Sequence, residues 1–253
     1  MPLYSAVAPL PVNRIKNRLF DPDARAFFAT AGVTDRVARG QINAFVVGVK
    51  ALGLYSNMAS WPLKSAQNPT AGTTVFSLGG LGTYNGTLNN NPTRGINGIT
   101  FSPSSSCMQI GYTLASGSHT ILAVALNGAI VNNSQIFRVS NTANNFHFWQ
   151  RRNATSTTQF SPNTDLSGYI NGAITNTAIA SAYNTFGATT SRTFGTGTSS
   201  GTPSFFGDTA NNQQWGDIGT FCSIFNLQLT TAQILSLHNL YKITAGKGLA
   251  LPW

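Results

Sequence analysis

The chain has 253 residues, with 15 Lys and Arg against 6 acidic side chains and a formal charge of +9, yet only 8% of it is charged and it contains no Glu. That length suits one large domain, or a domain with an appendage, and can bury a substantial core. No window holds the long uncharged apolar run of a bilayer span, and the first dozen residues lack a basic n-region and an unbroken h-region, so neither membrane insertion nor an export signal is expected.

A basic chain invites a nucleic-acid reading, but the distribution opposes it. Seven of the 15 cations fall within the first 50 residues, and the others are scattered singly apart from Arg151-Arg152. There is no basic helix face and no aromatic-interleaved basic strand, so nucleic acid is not an expected partner. Acidic proteins or anionic cell-surface polymers account equally well for the excess. Cys107 and Cys222 sit far apart inside strand-like runs and read first as small buried apolar residues, with a cross-strand disulfide as the alternative.

Residues 1–20 carry Pro2, Pro9, Pro11 and the basic cluster Arg14, Lys16, Arg18. Such a composition cannot form its own core and reads as an extended arm, or else a frayed terminus. At Asp21-Pro22-Asp23 the signal changes: Asp as N-cap, Pro at the first helical position and a second Asp in the first turn all favour a helix, which stops near Gly32. Thr34-Asp35 starts another helix, with Ile42, Phe45, Val46, Val49 and Leu52 at the spacing of a buried stripe. Together residues 21–55 form a helical preface that lies against the β body or a neighbouring subunit.

Leu54 to Pro69 reads as a transition, after which the pattern turns to β until about residue 229. Expected strands are Thr74–Ser77, Thr83–Leu88, Gly98–Phe101, Met108–Leu114, Thr120–Leu126, Gln135–Ser140, Asn145–Gln150, Tyr169–Ile174, Ala178–Tyr183 and Gly219–Leu227. The unbroken run Thr120–Leu126 should be covered on both faces, and Asn127-Gly128 after it should close a hairpin into Ala129–Val131. Asn89 to Pro92 and the Gly/Thr/Ser run from Thr185 to Gly201 read as turns and loop. Thr230 and Gln233 have capping-box spacing, predicting a helix over 231–245 that Gly246 ends. The short strands and turn clusters predict two antiparallel sheets face to face over 56–253.

Three segments resemble the concanavalin A-like, laminin-G-like jelly rolls of tailed-bacteriophage virion proteins. They are the preface Asp23 to Tyr55, the segment Tyr84-Asn85-Gly86-Thr87-Leu88 to Gly98-Ile99-Thr100-Phe101, and the closing strand and capped helix Phe221 to Tyr241. The resemblance spans roughly residues 21–245 in outline. It implies a mainly β protein, an antiparallel jelly-roll sandwich with an N-terminal helical preface and a C-terminal capped helix. It also implies a non-enzymatic structural protein of the virion, assembled in the host cytoplasm and exposed on a tail appendage or as capsid decoration. Other virion proteins would be its partners, further copies would form a homo-oligomer, and Arg14, Lys16 and Arg18 would dock the arm to the particle.

The same fold hosts lectins and glycosidases, so the residues must be asked separately about chemistry. Glycosidases need two carboxylates flanking the scissile bond. Without Glu, the Glu-x-Asp-x-x-Glu strand motif of the family's glucanases is excluded. Asp21, Asp23 and Asp35 belong to helix starts, leaving Asp165, Asp208 and Asp217; no catalytic residue is assigned. His119, His147 and His238 lack zinc spacing, and the oxygen ligands Asp208, Asn211, Asn212 and Asp217 suit an Asx-shaped turn better than calcium. Neither a metal nor a cofactor is expected. Carbohydrate binding asks only for an aromatic platform and a few polar groups. Trp149 with Arg151 and Arg152, and Trp215 with Asp208, Asn212 and Asp217, supply two such sets, and a host cell-surface glycan is the ligand they would suit. Each tryptophan reads first as a core or subunit-contact residue.

Overall fold

The structure is a computed structural model. It describes residues 20–101, 106–113, 119–126, 134–140, 145–151, 159–162, 174–181, 202–207, 218–227 and 229–249.

The preface forms as its capping chemistry dictates. Helix α1 spans Pro22–Ala31, with the Asp21 carboxylate accepting from the Asp23 amide and Gly32 closing it at φ 68°. Helix α2 spans Arg36–Ala51, with Asp35 accepting from the Ala38 amide. Ala38, Ile42, Phe45, Val46 and Val49 are its buried face, while Leu52 is its C-cap. A 3₁₀ turn, Tyr55–Asn57, leads into the β body.

Thirteen strands are described: β1 Met58–Pro62, β2 Thr74–Val75, β3 Gly86–Asn89, β4 Thr93–Gly95, β5 Gly98–Thr100, β6 Cys107–Ile110, β7 His119–Leu126, β8 Ser134–Ser140, β9 Asn145–Arg151, β10 Gln159–Pro162, β11 Ile174–Ser181, β12 Thr202–Phe205 and β13 Ile218–Phe225. One sheet runs β11-β7-β13-β5-β4, with β1 also on β13; the other runs β10-β9-β8-β12-β6-β3-β2. Helix α3, Thr231–Ile243, closes the described chain and carries the expected capping box, Thr230 and Gln233 each accepting from the other's backbone amide. The fold is mainly β.

Two apolar cores explain why the central strands are apolar without interruption. Between the sheets lie Ala59, Trp61, Ile99, Ile121, Ala123, Cys222 and Ile224 of the first sheet against Val75, Leu88, Met108, Ile110, Phe137 and Phe205 of the second. The outer face of the first sheet is roofed by all three helices: Leu122, Val124, Leu126, Phe221 and Phe225 meet Phe45, Val46, Ile234, Leu237 and Tyr241. Strand β7 therefore alternates between two apolar environments, Ile121 and Ala123 inward, Leu122 and Val124 toward the helices. Each large side chain so buried stabilises the fold by about 1.5–3 kcal/mol.

Of three expectations to revisit, the first, a hairpin at Asn127-Gly128 into Ala129–Val131, lies outside the described residues. Strand β7 itself is paired with β11 on one edge and β13 on the other. A two-residue hairpin occurs at Ile96-Asn97, where Gly95 pairs with Gly98. Gly98, at φ 149°, passes so close to β13 that a Cβ would stand 2.2 Å from the Gly219 carbonyl oxygen. Second, the sheets are not wholly antiparallel, because β11 runs parallel to β7. Third, Leu54 to Pro69 is not merely a transition: Met58–Pro62 pairs with β13 along its whole length, and the Ser60 and Ser223 hydroxyls bond at 2.7 Å in the interior. Strands β4, β10 and β12 also lie outside the expected set. Of the expected strand Tyr169–Ile174, residues 169–173 are outside the described residues, and Ile174 begins β11.

Candidate functional site

Strand register places Trp149 and Arg151, of the first candidate sugar-contacting set, toward one end of the second sheet. Phe205 of β12 pairs with Phe137 of β8, which pairs in turn with Phe148 of β9. Trp149 and Arg151 are the ladder positions just beyond Phe148, and the chain leaves β12 at Phe206-Gly207 in the same direction. At about 4.8 Å per strand, β9 and β12 are about 10 Å apart. The backbone at Phe206-Gly207 thus ends its described course at the same sheet end as the Trp149 and Arg151 ladder positions. Arg152, Asp208, Asn212, Trp215 and Asp217 themselves lie outside the described residues, as do Asp165 and Asn211. Phe206 adopts φ 59° at this exit, and its ring stacks on Phe101 at 5.0 Å, anchoring the departure point in the core.

The docking candidates Arg14, Lys16 and Arg18 are likewise outside the described residues, which begin at Phe20. Phe20 packs edge-on against Phe28 at 5.5 Å, and the Asp21 amide donates to Asn43 of α2 at 2.7 Å. Lys50 at the end of α2 bridges Asp21 and Asp23 at 2.7 and 2.6 Å. Partial burial alone would raise the Asp21 carboxyl, but Lys50 and the Asp23 and Ala24 amides outweigh it and hold it below the ordinary 3.8. Hydrogen bonds that the Lys50 ammonium donates to Asp21 and Asp23 raise Lys50 in turn. The three aspartates described are all engaged in this network or in helix capping, so none is poised as an acid or base.

Elsewhere the polar interior is structural. Lys64, almost fully buried, donates to the Lys247 carbonyl at 3.0 Å, and Gln67 donates to the Ala245 carbonyl at 2.7 Å; both tie the β1–β2 connection to the end of α3. Burial lowers the Lys64 ammonium. Asn68 and Arg94 bind loop carbonyls in the same connection. At one end of the inter-sheet core Tyr84 meets Tyr112 edge-on, and the Tyr112 hydroxyl bonds His119 Nε2 at 2.9 Å. Burial, reinforced by Tyr84, raises Tyr112.

The three histidines lie on separate elements, and the candidate oxygen ligands Asp208, Asn211, Asn212 and Asp217 lie outside the described residues. His119 is on β7, His147 on β9 and His238 on α3, and among the described residues no three His, Cys or Asp side chains gather into a cation site. Cys107 and Cys222 are both wholly buried, on strands of opposite sheets, and burial pushes the Cys222 thiol well up. No helix among the described residues is long and apolar enough to cross a membrane.

One surface escaped the sequence reading. Val37, 67% exposed, and Ile243, also 67% exposed, flank an open groove of about 380 Å³ between α2 and the end of α3, floored by Gly40 and Ala44. The signal was present as a second three-and-four spacing on α2, opposite the buried stripe.

Comparison with known proteins assigns no relationship: no family matches the sequence, and neither do curated proteins nor solved structures.

Proposed function

We propose that this chain is a non-enzymatic structural protein of a tailed-bacteriophage virion, a concanavalin A-like jelly roll displayed on the tail or capsid surface and docked through its N-terminal arm. One observation carries the reading. The three segments that resemble such virion proteins, separated by up to about two hundred residues, converge in space. Phe45 of the preface meets Phe221 of the closing strand at 5.2 Å, Phe221 meets Tyr241 of the capped helix at 4.7 Å, and β13 pairs with β5 of the middle segment. The parallel β7/β11 pair is a departure from an all-antiparallel jelly roll and would be a local elaboration of it. The arm enters at Phe20, beside the Asp21–Lys50–Asp23 network, so its basic residues leave from a rigid point. Deleting residues 1–19, which leaves Phe20 on Phe28, should keep the melting temperature and abolish incorporation into particles; undiminished incorporation would sink the docking role.

A second function, glycan binding on an adhesion appendage, is favoured by the shared sheet end of Trp149, Arg151 and the chain entering Asp208. Trp149→Ala or Trp215→Ala should remove binding to host cells or a glycan array at unchanged melting temperature. Loss of binding together with stability would assign the tryptophans to the core instead.

A further inference from the structure

Asn-Gly occurs four times in the sequence, and two of the pairs, Asn85-Gly86 and Asn97-Gly98, lie among the described residues. This dipeptide is a chemical weak point of any chain. Without a Cβ, the glycine leaves its own amide nitrogen unshielded, close to the side-chain amide of the asparagine before it.

The fold treats the two pairs differently. Asn85 Oδ1 accepts from the Ser77 amide at 3.1 Å, and Gly86 lies within β3, laddered to β2 on one side and β6 on the other. Asn97 is exposed at the two-residue tip between β4 and β5, and among the described residues no hydrogen bond holds its side chain. Strand β4 is three residues long and pairs, among the described strands, with β5 alone, so this tip opens at lower cost than the interior of the sheet. The glycine after Asn97 is fixed by packing: at φ 149°, with a Cβ due 2.2 Å from the Gly219 carbonyl oxygen, position 98 admits no side chain. The close approach of β5 to β13 therefore imposes the labile pair on an exposed turn.

We propose that Asn97 is a site of spontaneous covalent modification, deamidating in the folded protein while Asn85 persists. As the tip opens, the Gly98 amide nitrogen gives up its proton to hydroxide and attacks Asn97 Cγ. The new C–N bond closes a five-membered succinimide, the Cγ–Nδ2 bond breaks, and Nδ2 takes a proton from water and leaves as ammonia. Water then opens the ring. Addition at Cγ leaves an ordinary aspartyl residue; addition at the main-chain carbonyl leaves an isoaspartyl one, in which the backbone runs through Cβ and Cγ. No oxidant or reductant enters. Either product adds a carboxylate next to Ile96, which is 79% exposed. The isoaspartyl form also adds a methylene between residues 96 and 98, against a Gly98 held on β13. The displacement falls on β4, whose Arg94 donates to the Asn68 and Thr74 carbonyls and whose Gly95 carbonyl accepts from the Ser65 amide. Slow chemistry at one turn thus loosens the connection over residues 64–74. The inference is independent of the virion reading, since the chain alone tests it.

The experiment incubates the full chain at mildly alkaline pH, folded and in guanidinium chloride, and maps aspartyl and isoaspartyl residues by peptide mass spectrometry. In the folded chain position 97 should convert several-fold faster than position 85; in denaturant the two should convert at similar rates. Asn97→Gln, whose ring would need six members, should remove the conversion there. Hydrogen exchange over residues 93–100 should rise as the native chain ages and stay level in this variant. Conversion at 85 as fast as at 97 in the folded chain, an Asn97 left intact when folded over the time in which denaturant converts it, or unchanged exchange in the converted fraction would each overturn the proposal.

Discussion

His238 sits where α3 lies on the first sheet, 3% exposed beside Leu122, Val124, Phe221, Ser223 and Tyr241. Burial pushes its imidazole from the ordinary 6.5 down to about 4. A neutral form preferred by the fold means that the unfolded chain binds the proton first as pH falls. Stability is therefore full above about pH 6.5 and declines toward about pH 4, by about 3 kcal/mol at about 1.4 kcal/mol per pH unit. Asp21, held below 3.8, adds its own loss only at lower pH, so the two windows are separable. Urea midpoints across this range should fall with pH for the native chain and stay nearly level for His238→Leu; parallel slopes would place the titration elsewhere. The spacing of Ile234, Leu237 and Tyr241 shows that His238 is near a buried face, but not that the roof above it is dry.

At the scale of elements, α2 and α3 are held in register by Gly48 and Leu240. Gly48→Ala places a methyl 2.4 Å from Leu240 Cδ1, the far end of a partly buried side chain that must turn aside, so by chemical denaturation it should gain less than the roughly 1 kcal/mol that replacing a helical glycine otherwise yields. Gly40→Ala, with open space, should gain that amount; equal effects at both positions would contradict the packing described. The helices were legible because their signals are local: Asp21-Pro22-Asp23, Asp35, and Thr230 with Gln233 all cap as their chemistry predicts. Three of the four missed strands share a different property, the fourth, β4, being only three residues long. Strand β1 ends at Pro62, β10 at Pro162, and β12 contains Pro203, and a residue without an N–H argues against a strand unless the neighbouring ladder is known. In β12 the ladder to β6 reaches only Ser204 and Phe205, leaving Pro203 beyond it.

For the whole molecule, the preface is not an appendage but half of a second core. Removing residues 1–55 would uncover Leu122, Val124, Phe221 and Phe225 together, several large apolar side chains at about 1.5–3 kcal/mol each, against a typical total stability of about 5–15 kcal/mol. The fragment 56–253 should fail to fold cooperatively and should bind a hydrophobic dye; a sharp native-like melt would show that the β body stands alone. Of the residues singled out for glycan contact, Trp149 and Arg151 lie on β9, and Arg152, Asp208, Asn212, Trp215 and Asp217 are outside the described residues. That β9 and the end of β12 share one sheet end depended on long-range register, which no local pattern encodes.

The virion role is tested most directly by electron cryomicroscopy of purified particles from cells expressing the chain. The account predicts symmetric density for the two-sheet body on the tail or capsid surface, with the α1–α2 preface and the arm facing the particle. Particles that carry no copy of the chain, or carry it attached through the sheet end at Trp149 with the preface pointing outward, would contradict it.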